Sequence, residues 1–215
     1  MKESIYVWDP VVRIFHWTLV LAFTISYLTG DELETIHAYS GYLILILIFI
    51  RVIWGLIGSK YARFSDFVKP VSEAFAYLRG LLTGNARHYT GHNPAGGLMV
   101  LALLGSISIT GLTGLKTYGL EGHGPLATTS IETSINKTEI DSDEHDEHDE
   151  DDDHYDKHDD EESEVWEELH EFFANFTVLL VLLHVIGVYI SALFHKENLI
   201  SAMITGYKEI KKDQA

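Results

Sequence analysis

The sequence predicts an all-α integral membrane protein: a four-helix bundle with a long acidic extracytoplasmic loop, the whole of residues 1–215 forming a single domain. Three observations carry this expectation. Apolar runs near residues 11–30, 38–57, 95–115 and 172–194 each approach the roughly 20 residues that a spanning helix needs. Acidic charge is segregated, because residues 139–164 hold 17 of the 32 Asp and Glu residues and one basic residue, Lys157, leaving the rest of the chain near neutrality. Lys and Arg are segregated too, and the first segment, the loop after the second span and the tail carry eleven of the 15.

The first run, 11–30, contains Arg13 and His16 and lacks a small-residue cleavage site, so it reads as a retained span rather than a cleavable signal peptide. The second, 38–57, includes Tyr42 to Ile50 without a strongly polar side chain. A soluble bundle would place polar residues every three or four positions along one face, which this run does not. The third, 95–115, follows Asn93 and Pro94, a cap residue and a residue that fits the first helical turn without losing a needed donor. The fourth is drawn at 168–194 so that it contains both His170 and His184, and Thr177 to Val185 is apolar on every side apart from Thr177 and His184. Residues 128–163, acidic and His-rich, cannot form a core and are expected to be disordered. After His195, Leu199, Met203 and Ile204 fall on one side of a short amphipathic segment, leaving Lys208 and Lys211 to meet anionic lipid headgroups.

Orientation follows from the basic residues. The N-terminal segment (Lys2, Arg13), the loop between spans two and three (Lys60, Arg63, Lys69, Arg79, Arg87) and the tail (Lys196, Lys208, Lys211, Lys212) total eleven, against Lys116, Lys137 and Lys157 on the other side. Both termini are therefore expected in the cytoplasm, with the short 31–36 turn and the acidic loop outside a bacterial inner membrane. Trp8, Trp17, Trp54, Tyr61 and Trp166 lie near span ends, where aromatic rings favour the interface.

The chain has no cysteine, which excludes disulfides, iron–sulfur clusters held by thiolates and covalent c-type haem. Histidine is the informative residue. His170 and His184 stand 14 residues apart, about 21 Å along a helix and within about 40° of one face. His37 opens the second span at the outer level of His170, whereas His16 lies at the inner level of His184. Two bis-histidine haems satisfy all four residues. A helix–helix hydrogen bond or a proton relay explains any one of them singly, but not the matched depths. With both axial positions filled, the expected chemistry is electron transfer. An imidazole that ligates through one nitrogen donates from the other, so carbonyl or hydroxyl partners are expected beside each ligand. Arg51, about 14 residues into the second span, needs a counter-charge, and no Asp or Glu occurs in the apolar runs 11–30, 38–57, 95–115 and 172–194. An inner haem propionate is one partner; snorkelling to the headgroups is the other reading. Glycines 30, 41, 97, 105, 111, 114 and 187 permit close approach of a macrocycle, or equally of a neighbouring helix.

Particular segments also carry a resemblance. Val7-Trp-Asp-Pro-Val-Val-Arg-Ile-Phe-His16-Trp17, His37-Ala-Tyr-Ser-Gly41-Tyr42, Arg51-Val-Ile-Trp-Gly55 and Tyr61-Ala-Arg-Phe64 are followed by Gly91-His-Asn-Pro-Ala-Gly-Gly97, Thr110-Gly-Leu-Thr-Gly114 and Gly124-Pro-Leu-Ala127. Glu168-Leu-His170-Glu with His184, His195-Lys-Glu-Asn-Leu199 and Met203-Ile-Thr-Gly206 complete a pattern that covers all but about 128–163. In this order they resemble the bacterial di-haem cytochrome b membrane proteins that include the cytochrome b subunit of nickel–iron hydrogenases. The resemblance implies His16, His37, His170 and His184 as axial ligands of two haem b groups. It also implies electron passage between an extracytoplasmic redox protein, a c-type cytochrome or hydrogenase-like subunit, and the membrane quinone pool of a respiratory chain. Direction differs among members, and whether this chain acts as a quinone oxidoreductase in its own right stays open.

His92 either flanks the helix cap made by Asn93 or lies near an inner quinone, with Arg51 or His88. The acidic loop, from Glu144 to His154 and His158, reads as a solvated tract, an electrostatic dock for a basic partner, or a metal-capturing segment. The last reading supports a different function, a divalent-metal transporter or sensor, although the spans lack the acidic ligands such a pathway uses. Membrane lipid is an expected partner, a homodimer is plausible from the sequence, and no nucleic-acid partner is expected.

Overall fold

A computed structural model describes residues 2–30, 32–127 and 152–211. Four helices are long and apolar enough to cross a membrane: α1 (Pro10–Thr29), α2 (Glu34–Ile57), α5 (Pro94–Leu120) and, within α6 (Asp152–His195), the stretch Glu162–His195. The short helices α3 (Phe64–Phe67), α4 (Val71–Leu82) and α7 (Leu199–Thr205) complete the α structure. The all-α membrane bundle is thus present, and the protein is a multi-pass membrane protein.

The chain divides into two units, residues 1–105 with 177–215, and residues 106–176. In the first, α1 starts where Asp9 caps it, its Oδ1 accepting from the Val12 N–H at 3.0 Å with Pro10 just inside the helix. The α2 helix stops at Gly58, whose N–H reaches the Trp54 carbonyl at 2.8 Å. Many leucines and isoleucines on both helices, such as Leu21, Leu28, Ile46 and Leu56, face outward, as lipid-facing surfaces require, while Ser26, Ser40 and Arg51 are buried together with Ile44, Leu47 and Ile48.

Two strands that hydropathy does not reveal close the ends of this unit. β1 (Lys2–Tyr6) pairs antiparallel with β2 (Tyr207–Lys211), from Lys2 opposite Lys211 to Tyr6 opposite Tyr207. Gly206 makes the link: at φ +90° it ends α7, and its carbonyl accepts from the Val7 and Trp8 N–H groups at 2.9 and 3.1 Å. Val7, Trp8, Val12, Ala62 and Ala202 form a small core there, with Met203 packed against it.

This cap corrects two expectations. Ile200 and Ile204 are the exposed apolar residues of α7, whereas Met203 turns inward. Lys208 is not directed at headgroups: it is 6% exposed, and its Nζ bonds Glu197 at 3.0 Å and the Tyr89 carbonyl at 2.7 Å. A strand places alternate residues on opposite faces, so pairing β2 with β1 turns Lys208 into the cap.

In the second unit, α5 leads through a 3₁₀ turn at Gly124–Leu126, and α6 enters from Asp152. The expected loop, 128–163, is therefore shorter, because residues 152–163 are helical. A helix in water needs no apolar face, and acidic residues suit its N-terminal end. Residues 128–151, with most of the His-rich tract, lie outside the described residues.

Candidate haem-binding histidines

His37 stands one turn into α2. Its Nδ1 lies 2.9 Å from the Ser26 carbonyl of α1 and 3.4 Å from the Ser26 hydroxyl. A carbonyl only accepts, so Nδ1 carries the proton and the ring's lone pair is on Nε2. His170, in the other unit, repeats the arrangement on different helices. Its Nδ1 donates to the Thr110 carbonyl of α5 at 2.9 Å, with the Thr113 hydroxyl at 3.4 Å. Gly114 makes this possible, since a Cβ there would fall 2.7 Å from the His170 ring. Both rings therefore have the tautomer that a metal-ligating Nε2 requires, and both acceptors are partners of the kind the sequence led us to expect.

The other two histidines differ. His16 on α1 and His184 on α6 are close enough to interact electrostatically. His16 Nδ1 is sealed from solvent without a hydrogen-bond partner, so the expected carbonyl is missing there.

His92, just before α5, touches Trp8 and Phe67, each ring centroid 4.6 Å away. Its Nδ1 is also sealed and unpartnered. Burial, followed by the charges of Arg51, His184 and Lys208, pushes its imidazolium down to about 3, so the ring is neutral at physiological pH. Asn93 does cap α5, its Oδ1 accepting the Gly96 N–H at 2.7 Å.

Arg51 is 4% exposed, so snorkelling is set aside. Its Nη2 donates to the Ala62 carbonyl at 3.1 Å, and its guanidinium carbon lies 5.1 Å from the Phe64 ring centroid and 5.9 Å from that of Phe67. Among the described residues its Nη1 has no hydrogen-bond partner. Asp9 is within electrostatic reach but committed elsewhere, accepting from Ser59 at 2.5 Å and from the Trp54 indole at 3.2 Å. Burial pushes the Asp9 carboxyl up, but its hydrogen bonds from Ser59, Val12, Trp54 and Val11 together hold it below the usual range.

His88 is engaged apart from this group. Its Nε2 meets Glu197 at 2.5 Å, and Glu197 also holds Lys208. Nearby, Tyr77 and His195 are joined at 3.2 Å. Nothing along the chain marks Glu197 as a hub, because a single acid after a span looks like any flanking charge.

These residues fit a haem. Two imidazoles present the correct tautomer, a buried guanidinium keeps a donor to spare for an acid such as a propionate, and a Cβ added at Gly41 or Gly187 would meet nothing within 4 Å. A chain with imidazoles along its spanning helices and no cysteine has the side chains of one class, membrane proteins that hold haem noncovalently. The sequence comparisons give the family, for residues 7–206 match its model and the chain belongs to the prokaryotic cytochrome b561 family. Its cofactor is accordingly haem b, and its chemistry is that of electron transport.

The chain is similar to a probable Ni/Fe-hydrogenase B-type cytochrome subunit of Rhizobium leguminosarum bv. viciae, 28% identical over a 152-residue alignment that covers 57% of this chain and 63% of the relative. A protein of the same description from Azotobacter vinelandii is 26% identical over a 155-residue alignment that covers 57% of this chain and 62% of the relative. The matched region thus spans less than two thirds of the length of these relatives. No solved structure matches the chain.

Proposed function

We propose that the chain carries two bis-histidine b haems and transfers electrons across the bacterial inner membrane between the quinone pool and an extracytoplasmic redox protein. His37 with His170 holds the outer haem, and His16 with His184 the inner one. The observation that carries this reading is the repeated Nδ1-to-carbonyl bond of His37 and His170, which fixes each ring with its lone pair on Nε2. When bound, haem b supplies reversible one-electron exchange at iron. The chain's own residues hold the rings, and Arg51 offers Nη1 to an inner propionate. Both termini face the cytoplasm. The partner is a c-type cytochrome or a hydrogenase-like subunit, the latter suggested by the names of the relatives.

An inner quinone near His92 is part of the same proposal. The neutral, sealed ring suits a hydrogen-bonding role better than rapid proton exchange with water. A His92 substitution that leaves quinone-linked turnover unchanged removes this element.

The test is a dithionite-reduced minus oxidised spectrum with haem quantitation on the detergent-purified protein, repeated for His170→Ala and His184→Ala. We expect about two low-spin b haems per chain and the loss of one in each variant. A folded protein without haem, expressed with ample supply, would overturn the reading.

A further inference from the structure

The short helix α4 presents three faces. Stepping about 100° per residue, Val71, Phe75, Leu78 and Leu82 fall within about 60° of one another, and all four are exposed, Phe75 at 68% and Leu82 at 89%. Ala74 and Tyr77, with the half-buried Leu81, occupy a second face that packs against the protein. Ser72, Glu73 and Ala76 lie on the third, also exposed, and Arg79 stands at its border with the apolar stripe. Scattered apolar residues on a surface are ordinary, but an unbroken stripe along the whole of a 12-residue helix marks a contact.

The surroundings of α4 say with what. The Tyr77 hydroxyl lies 3.2 Å from His195 Nε2 and bonds the Ser191 side chain, which fastens the helix to the last turn of the fourth span. Residues 58–70 and 83–93 tie it to the ends of α2 and α5. Lys208 of the terminal ribbon bonds the Tyr89 carbonyl in the second of these segments, so α4 belongs to the side of the chain termini. Leu193, in the turn that holds Tyr77, and Leu56 and Ile57, where α2 ends, are exposed apolar residues of the lipid-facing kind. The stripe is therefore held at the level where the spans leave the bilayer. A protein partner fits it less well, since a stable interface takes roughly 20–30 residues a side and the stripe offers only four. Lys69 and Arg79 are exposed beside it, and such cations reach headgroup phosphates while apolar neighbours enter the acyl region.

We propose that α4 is an in-plane membrane helix, with Val71, Phe75, Leu78 and Leu82 set among the phospholipid acyl chains of the leaflet on the side of the termini and Glu73 and Ala76 turned to water. That role, which the pattern of the tail after His195 suggested, passes to α4 because Met203 and Lys208 are folded into the cap. The inference concerns lipid alone and does not depend on the haem reading.

Because the chain has no cysteine, a nitroxide label can be placed at one chosen residue. The test is label accessibility in the full chain reconstituted into phospholipid vesicles, with Phe75→Cys on the stripe and Ala76→Cys on the polar face. Leu82→Cys, at the most exposed position of the stripe, takes the place of Phe75→Cys if that variant does not fold. Oxygen, which concentrates among acyl chains, and a water-soluble nickel chelate report the two surroundings. We expect the stripe label to relax mainly with oxygen, at a depth of about 5–10 Å, and the label at Ala76 to relax mainly with nickel. A stripe label open to the nickel chelate stands in water. One shielded from both reagents is covered by protein, and by a second copy where dipolar coupling between labels accompanies it. Either result, or equal oxygen responses at the two positions, overturns the inference.

Discussion

The terminal cap and the spanning helices place the same kinds of residue on opposite terms. In the cap, apolar side chains such as Val7 and Ala202 are buried and charges are paired inside, with Glu197 between His88 and Lys208. Along α1 and α2 the reverse holds. Ile14, Leu21, Leu28, Leu56 and Ile57 face outward, while Ser26, Ser40 and Arg51 are among the buried residues. Lipid offers no reward for hiding a leucine and no partner for a backbone or hydroxyl group, so the protein interior is where polar groups find their bonds. The cap follows the rules of water, where burial of apolar surface and complete pairing of charge decide the fold.

That contrast is sharpest at its ionic contacts. Glu197→Gln should have the largest effect, because it leaves Lys208, 6% exposed, without its buried counter-charge. Removing one member of such a pair costs about 3–5 kcal/mol. The expected result is a marked fall in thermal stability in detergent, with the haem absorbance of surviving protein retained. A variant as stable as wild type would show that the cap does not depend on this hub.

Asp9→Ala comes next. It removes the cap of α1 and an acceptor shared by Ser59 and Trp54, and loss of a helix cap alone costs roughly 0.5–2 kcal/mol. Its pH dependence has a definite sign. The folded carboxyl lies below its ordinary value, so its stabilisation is fully present above that value and is lost as pH falls through the lower, folded one. Acid unfolding curves of wild type and Asp9→Ala should therefore converge below about pH 4, and curves that stay parallel to the acid limit would contradict the assignment.

The smallest effect is expected at Lys116→Ala. Its pair with Glu162 is exposed on both sides, at 36% and 51%, and such pairs contribute about 0–1 kcal/mol. A change in thermal midpoint comparable to that of Glu197→Gln would mean that exposure is a poor guide to ionic worth in this protein.

The same contrast explains what could be read in advance. Long apolar runs report the transfer of side chains to lipid, which is local, so the four spans were legible from composition alone. The 14-residue spacing of His170 and His184 could be read because helical rise is constant, and the carbonyl partners of His37 and His170 were foreseeable in kind. Their identities as Ser26 and Thr110 were not, since backbone acceptors leave no mark in a sequence. The cap was illegible for a different reason. Pairing Lys2 with Lys211, and Glu197 with residues as far apart as His88 and Lys208, depends on contacts no window of sequence contains. Reading Lys208 as a headgroup anchor failed because a lysine's surroundings are decided by its distant partners.

The ribbon of β1 and β2 has one more consequence. Residues 2–6 cannot pair until residues 207–211 have been synthesised, so the cap is the last part of the fold to assemble on a growing chain. Pairing also requires both segments on the same side of the bilayer, and only a chain that has crossed an even number of times can meet that condition. A protein with a missed or inverted insertion would keep two unmatched strand edges and an unclosed cap, exposing its fault to the quality-control machinery of the cell.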